Sequence, residues 1–245
     1  MITICLGLLC LVLGGPGFGD PLPPFTADYR VMRNDLTIGT SRVTLAQHKD
    51  GSFEYESLTG AAGVLAWIFQ KDRIREHSQW VMHNDMVRPL EYRYENTGEG
   101  ERRTEQLIFD WNTFNVRQTA RDPTWQMQVP EGTLDKVTMN LALMIDLQGQ
   151  KKDFSYAIAD DAKLRRYQFE IVDRQSIFVP AGRFETVKIK RTRENKTQST
   201  FIWCAPALHY LPVQIDNRKD DGTVYRSVLT KVSGDLLASS AAAKK

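Results

Sequence analysis

The side chains of this sequence that could do chemistry are its histidines, Cys204 and a scatter of carboxylates. His48, His77, His83 and His209 include one close pair, His77 and His83, six residues apart. A zinc or iron site would need a tighter array, such as His-x-His or a Glu with two histidines on one helical face, and neither occurs, so no metal ligand and no cofactor is assigned. No serine stands in the Gly-x-Ser-x-Gly turn that presents a hydrolase nucleophile. Cys204 follows Trp203 in an apolar run, where a free cysteine behaves as a small buried hydrophobe. Paired carboxylates for glycoside hydrolysis leave no sequence trace, because their pairing across about 5 to 10 Å is spatial. Asp110, between Phe109 and Trp111, is the best single candidate for a general acid, since burial there would raise its pKa. The preferred reading of Asp110-Trp111-Asn112-Thr113 is a turn in which the Asp bonds backbone amides. No catalytic residue is therefore assigned.

Charge and aromatic content leave two further leads. Lys188, Lys190, Arg191, Arg193 and Lys196 could form a line of charge for anionic lipid headgroups or lipopolysaccharide phosphates. The favoured alternative is that they protect an exposed strand edge from aggregation. Asn195-Lys196-Thr197 matches a glycosylation sequon, relevant only in a eukaryotic secretory route. Trp67, Trp80, Trp111, Trp125 and Trp203, with eight tyrosines, suit either a core or an apolar pocket. Trp111, Trp203, Leu141 and Met144 are the residues expected to line such a pocket.

The elements that would position these groups are mostly strands. Short runs rich in aromatic and β-branched residues alternate with turn signals at Asp50-Gly51, Gly98-Glu99-Gly100, Pro180-Ala181-Gly182 and Asp221-Gly222, which predicts antiparallel hairpins. Leu90, Tyr92 and Tyr94 alternate in sidedness, as does the Gln106 to Trp111 run. From Phe184 to Arg193, Val187 and Ile189 should face inward while Lys188 and Lys190 face water. One segment breaks the two-residue rhythm. Leu134, Val137, Leu141, Met144 and Ile145 recur at helical spacing after Thr133, and Gly149 follows, which predicts an amphipathic helix of about fifteen residues capped by Thr133 or steadied by the carboxylate of Asp135. A shorter helical piece is expected over Ala61 to Phe69. Many antiparallel strands with one helix predict a mainly β domain, a single curved sheet or an open or half barrel that the helix plugs or flanks.

The beginning of the chain bears on location. Ile2 to Leu13 is apolar and Gly17-Phe18-Gly19 supplies small residues, which reads as a signal peptide over 1–19, although no Lys or Arg precedes the run. A dozen apolar residues are too few for a permanent span, which takes roughly 20. No transmembrane anchor is expected after cleavage. Cys5 and Cys10 would leave with the signal, so Cys204 alone could not make an internal disulfide. Residues 20–238 read as one domain and 239–245 as a frayed tail. A formal charge of +2 argues against nucleic acid as a partner.

Several patterns in order resemble the DUF3108 family of exported bacterial proteins. They are Ile38-Gly39, Arg88-Pro89-Leu90-Glu91-Tyr92, Phe109-Asp110-Trp111, the Asp135 to Leu147 helix, Val179-Pro180-Ala181-Gly182, and Trp203 through Leu211-Pro212-Val213. The resemblance spans nearly all of the chain after the signal and implies a β-rich envelope protein, similar in shape to half-barrel lipoprotein carriers, with no activity attached. Export, β architecture and missing catalytic motifs together favour a periplasmic, non-enzymatic protein that binds or carries an apolar or amphipathic envelope molecule such as a lipid. The competing expectations are an envelope scaffold that binds another protein and, third, a hydrolase of glycan or peptide.

Overall fold

Turn residues decide how this chain doubles back. The computed structural model describes residues 22–62, 73–98, 102–120, 123–149, 151, 154–194 and 198–237. Asn34-Asp35, Asn84-Asp85 and Asp161-Ala162 each place two successive residues at positive φ, the geometry that matches a two-residue hairpin to the twist of its strands. His48–Ser52 and Lys219–Thr223 are five-residue turns built alike, each with a glycine at positive φ and an Asp accepting the amide of the following Ser or Thr. The expected Asp50-Gly51 and Asp221-Gly222 turns are these two.

The strands run β1 (Phe25–Arg33), β2 (Leu36–Gln47), β3 (Phe53–Ala61), β4 (Arg73–His83), β5 (Met86–Asn96), β6 (Arg103–Asp110), β7 (Asn115–Gln118) and β8 (Trp125–Gln128). Helix α1 (Thr138–Gln148) follows. Then come β9 (Phe154–Asp160), β10 (Lys163–Val179), β11 (Gly182–Arg193), β12 (Ser199–Ala205), β13 (Leu211–Arg218) and β14 (Val224–Gly234). All pair antiparallel in one 14-stranded sheet, ordered β8-β7-β6-β5-β4-β3-β2-β1-β14-β13-β12-β11-β10-β9. Two meanders are thus joined where β1 meets β14, and the sheet is not closed into a barrel: its free edges are β8 and β9.

Between those edges lies the connection that holds α1. Leu134 makes a parallel bridge to β9, donating its amide to Ala157 and accepting from Ala159, both at 2.9 Å. That contact occupies part of an edge that would otherwise expose unpaired backbone groups. The helix itself is shorter than the sequence spacing predicts, eleven residues starting at Thr138, and it is buried on nearly every side rather than along one stripe. Thr133 is not its cap. Asp135 takes that role, its Oδ1 accepting the amides of Val137 and Thr138 at 2.9 and 2.8 Å while Thr138 Oγ1 accepts the Asp135 amide. This reciprocal pair satisfies helix donors that would otherwise be orphaned.

The concave face packs its apolar end around α1: Trp80, Leu107, Leu141, Met144, Ile189 and Leu229 are essentially without solvent exposure. Beyond β12 the β10–β11 hairpin continues as a two-stranded ribbon whose tip returns to β14, Ala181 donating to the Leu229 carbonyl. Gly39, part of the Ile38-Gly39 pattern, is a glycine for a spatial reason, because a Cβ there would sit 2.5 Å from the Gly60 carbonyl oxygen on β3. The expected signal peptide at 1–19, the frayed tail from Ser239 and nearly all of the helical piece proposed at Ala61 to Phe69 lie outside the described residues. Ala61 itself closes β3.

Leu141→Ala should lower the unfolding free energy by about 2 to 5 kcal/mol, because it opens a cavity in a site with no room to collapse. Phe178→Ser, at a ribbon position 82% exposed, should change it by less than about 0.5 kcal/mol. Urea denaturation of both variants reads the contrast. Equal losses would mean that α1 is not packed as described.

Candidate ligand cleft on the concave face

Strand alternation carries the inner face of the sheet from an apolar end to a polar one. On β11, Val187 and Ile189 are buried against Cys204 and Ile202 of β12. Two and four residues farther along the same face stand Arg191 and Arg193. Arg191 pairs in register with Thr200, Thr200 with Asn217, and Asn217 with Tyr225, while Arg193 lies opposite Tyr167 of β10. These residues, with Lys219 and Ile74, line a cleft of about 790 Å³. Ile74 belongs to β4, eight strand-to-strand steps from β10 in the sheet order. In a flat sheet that separation would be roughly 38 Å, so a shared cleft means that the sheet curls and the two meanders face each other across it.

Arg191 is held in place by neutral groups. Its Nη2 donates to Thr200 Oγ1 at 2.9 Å, Thr200 donates to Asn217 Oδ1 at 2.7 Å, and the guanidinium lies 5.4 Å from the Tyr167 ring centroid. Burial pushes its pKa down, Tyr167 opposes that shift and the neighbouring Arg193 reinforces it. Among the described residues that line the cleft there is no Asp or Glu.

A second polar group lies toward the seam between the sheet edges. Lys136, two residues before α1, reaches Asp160 Oδ1 on β9 at 2.7 Å and Glu105 Oε2 on β6 at 3.5 Å. Arg165 holds the other Asp160 oxygen, also at 2.7 Å. Burial works against both members of the Lys136–Asp160 pair, yet their mutual attraction outweighs it, leaving Lys136 above and Asp160 below the ordinary value. Nearby, Glu76 accepts the Tyr92 hydroxyl at 2.8 Å. Burial raises the Glu76 pKa; Tyr92 and Lys136 counter this, while Asp135 and Glu105 add to it. Asp135, wholly buried, is likewise raised by burial despite its bonds from Ser78, Thr138 and Val137. Lys136, Asp160, Glu105 and Arg165 are thus paired with one another, while Glu76 and Asp135 are held by neutral donors.

The residues singled out by sequence are dispersed. Leu141 and Met144 are on α1 itself, in the closed core, and Trp203 is buried on the opposite face of β12 with Lys188 Nζ 5.1 Å from its ring. Trp111 is half-buried in the turn after β6, donating to the Pro89 carbonyl at 2.6 Å beneath Arg88. None of the four lines the cleft. Asp110 accepts from the Asn112 amide and the Thr113 hydroxyl, which hold its pKa below the ordinary value, as the turn reading requires. Burial drives the Cys204 thiol pKa upward, consistent with an inert side chain. His48 and His77 both engage Glu54 on β3, and among the described residues no group of three or more side chains could hold a metal ion. The basic run does not form one line. Lys188 and Lys190 take the face opposite Arg191 and Arg193, and β11 is an interior strand, so protection of a sheet edge is not its role.

Asp135→Ala should lower the unfolding free energy by about 2 to 4 kcal/mol, because it orphans two amides and the Ser78 hydroxyl, whereas Asp135→Asn, which keeps an accepting oxygen, should avoid most of that loss. Chemical denaturation of the pair tests the cap, and equal effects would contradict it. For Glu76 the sign follows from its raised pKa. The folded state holds a proton that the unfolded state has lost, so this part of the stability is complete below the ordinary glutamate value and is lost as pH rises through the raised one. Denaturation midpoints from about pH 5 to about pH 8 should therefore fall less steeply in Glu76→Gln than in the wild type. Parallel profiles would refute the assignment.

Among solved structures the chain is similar to the beta-barrel-like protein of domain of unknown function DUF1849 from Brucella abortus, with a TM-score of 0.57, 8% identity, and coverage of 87% of this chain and 98% of that one. Fold is what they share. Two weaker likenesses are a candidate lipoprotein from Parabacteroides distasonis (TM-score 0.37, 10% identity) and a candidate exported protein with a YmcC-like fold from Bacteroides fragilis (TM-score 0.34, 11% identity). Each covers 88% of this chain and 98% of its own. No curated protein matches this sequence significantly. The DUF3108 profile, described as a protein of unknown function, matches residues 25–230, from the first residue of β1 into β14. That span takes in both meanders, the seam helix and the cleft, and the chain belongs to the DUF3108 family.

Proposed function

We propose that this protein is a non-enzymatic component of the cell envelope that binds an amphipathic molecule by its polar group at the open end of the curled sheet. The observation that carries this reading is the cleft of about 790 Å³, bounded by strands from both meanders and furnished with fixed polar donors. Ligand sites are typically concave and combine apolar walls with a few placed polar groups. Here Ile74, Tyr167 and Tyr225 supply apolar surface beside Thr200 and Asn217. Because α1 and its neighbours fill the apolar end, the ligand enters with its polar group first and keeps its apolar part at the mouth. The apolar run at the start of the chain supports an envelope location.

A scaffold role has one observation of its own. Phe178 is 82% exposed, and Ile171 and Val172 on the same strand are also exposed, which gives the β10–β11 ribbon an apolar surface suited to another protein.

Native mass spectrometry of the protein taken from its own envelope, followed by organic extraction, is expected to show an amphiphile at one copy per chain. Protein that carries nothing, and that fails to bind fluorescent fatty-acid probes after delipidation, would overturn the binding reading. In that case a photocrosslinker at position 178 should capture a partner.

A further inference from the structure

Resting on the binding reading above, we infer that Arg191 and Arg193 form a receptor for a phosphate ester, with Thr200 and Asn217 holding the first guanidinium in position. Among the described residues Arg191 has no carboxylate partner, although it lies deep in the cleft with only part of its side chain reaching solvent. The other buried cation of the concave face, Lys136, is by contrast neutralised by Asp160, which Arg165 also holds. A cation left unpaired in such surroundings is unfavourable unless something else supplies the negative charge. The described lining residues offer none. Their charged members are Arg191, Arg193, Arg218 and Lys219, and Arg218 is drawn off over Phe201 at 5.0 Å.

The chemistry of the ligand follows from the donors. A guanidinium presents five N–H groups in a rigid fork, and the single bond to Thr200 leaves most of the Arg191 fork free. Arg193 stands two residues away on the same face, roughly 7 Å along the strand, close enough for both side chains to converge on one group. A carboxylate has two oxygens, which one arginine satisfies alone. A phosphate ester has three terminal oxygens and up to two charges, matching two forks with the Asn217 amide and Tyr hydroxyls around them. Pre-fixing Arg191 through Thr200 and Tyr167 lowers the ordering entropy of binding. Asp220 at the rim engages Gln198 and does not line the cleft.

The shared chemistry is that of a lipid headgroup or of a small soluble phosphate ester, and calorimetry with three probes separates them. These are oleoyl lysophosphatidic acid, 1-oleoylglycerol and glycerol 3-phosphate, each titrated into the delipidated full chain. We expect lysophosphatidic acid to bind one to one and 1-oleoylglycerol at least about tenfold more weakly. Glycerol 3-phosphate binding as tightly as the lipid would assign the site to soluble esters; binding of the lipid alone would assign it to headgroups. Arg191→Met should weaken lysophosphatidic acid binding about ten- to hundredfold. The same variant should unfold at an unchanged or higher temperature, because it replaces an unpaired charge by an apolar side chain of similar length. Arg193→Gln provides a second variant with the same expected loss of affinity. Lys190→Gln, on the other face of the same strand, should leave binding unchanged. Equal affinity for 1-oleoylglycerol and lysophosphatidic acid, or unchanged affinity in both arginine variants, would overturn the phosphate site while leaving the amphiphile reading intact. Binding of none of the probes, with no amphiphile in the native protein, would overturn both.

Discussion

Lys136 bridges Asp160 on β9 and Glu105 on β6, one residue beyond the Asp135 cap of α1 and two beyond the Leu134 bridge to β9. In this short segment the β9 edge is tied to β6, two strands in from the other edge. A 14-stranded sheet that curls without closing must cover two edges and a concave apolar face at once. Leu134 covers part of the β9 edge by backbone pairing, Lys136 holds β6 and β9 by charge, and α1 fills the space between them. Arg103 adds a further link from β6 to Asp161 in the β9–β10 turn at 3.2 Å. This tie acts together with the pairing of β1 with β14 and the bond from the Tyr29 hydroxyl on β1 to the Pro212 carbonyl on β13.

The same tie explains why the concave face has two characters. The buried pair at the seam, Lys136 with Asp160, is tolerated because each has an opposite charge close by; removing one member leaves the other desolvated and unpaired. The basic side chains of the cleft, on β11 and at the end of β13, have no carboxylate beside them among the described lining residues. Arg191 is fixed by a threonine, itself held by an asparagine, and by a tyrosine ring, groups that orient a cation without neutralising it. Sites that bind ligands commonly forgo some stability in this way, because a group satisfied internally is unavailable to a ligand. The filled apolar end fits the same division: it supplies the stability, and the polar end is left open.

A packed apolar end also changes what kind of binding such a half barrel can support. Lipocalin-like barrels hold apolar ligands in an interior left empty. Here α1 occupies that volume, with Leu141, Leu143 and Met144 contacting the sheet from within. Under the proposed binding role, recognition would therefore be centred on a polar group, with specificity set by hydrogen-bond geometry and charge rather than by the volume of an apolar pocket.

Hairpins, the helix before β9 and the mainly β class were legible in the residues, because period-two alternation and Asp-Gly turns are local consequences of backbone sterics and burial. The same logic reached part of the cleft. Val187 and Ile189 were readable as inward-facing, and continuing their alternation by one and two steps arrives at Arg191 and Arg193; reading the basic run as one line of charge obscured that. Trp111, Trp203, Leu141 and Met144 were chosen for residue type, which cannot tell a core position from a cavity wall. Three matters rested on tertiary structure. Whether β6 is held toward β9 depends on contacts between segments remote in sequence, such as Lys136 with Glu105 and Asp160. Whether the interior is filled depends on where α1 docks. Whether a buried arginine is neutralised depends on which carboxylates the curl brings near it, since charge pairing is a relation in space that no local pattern encodes.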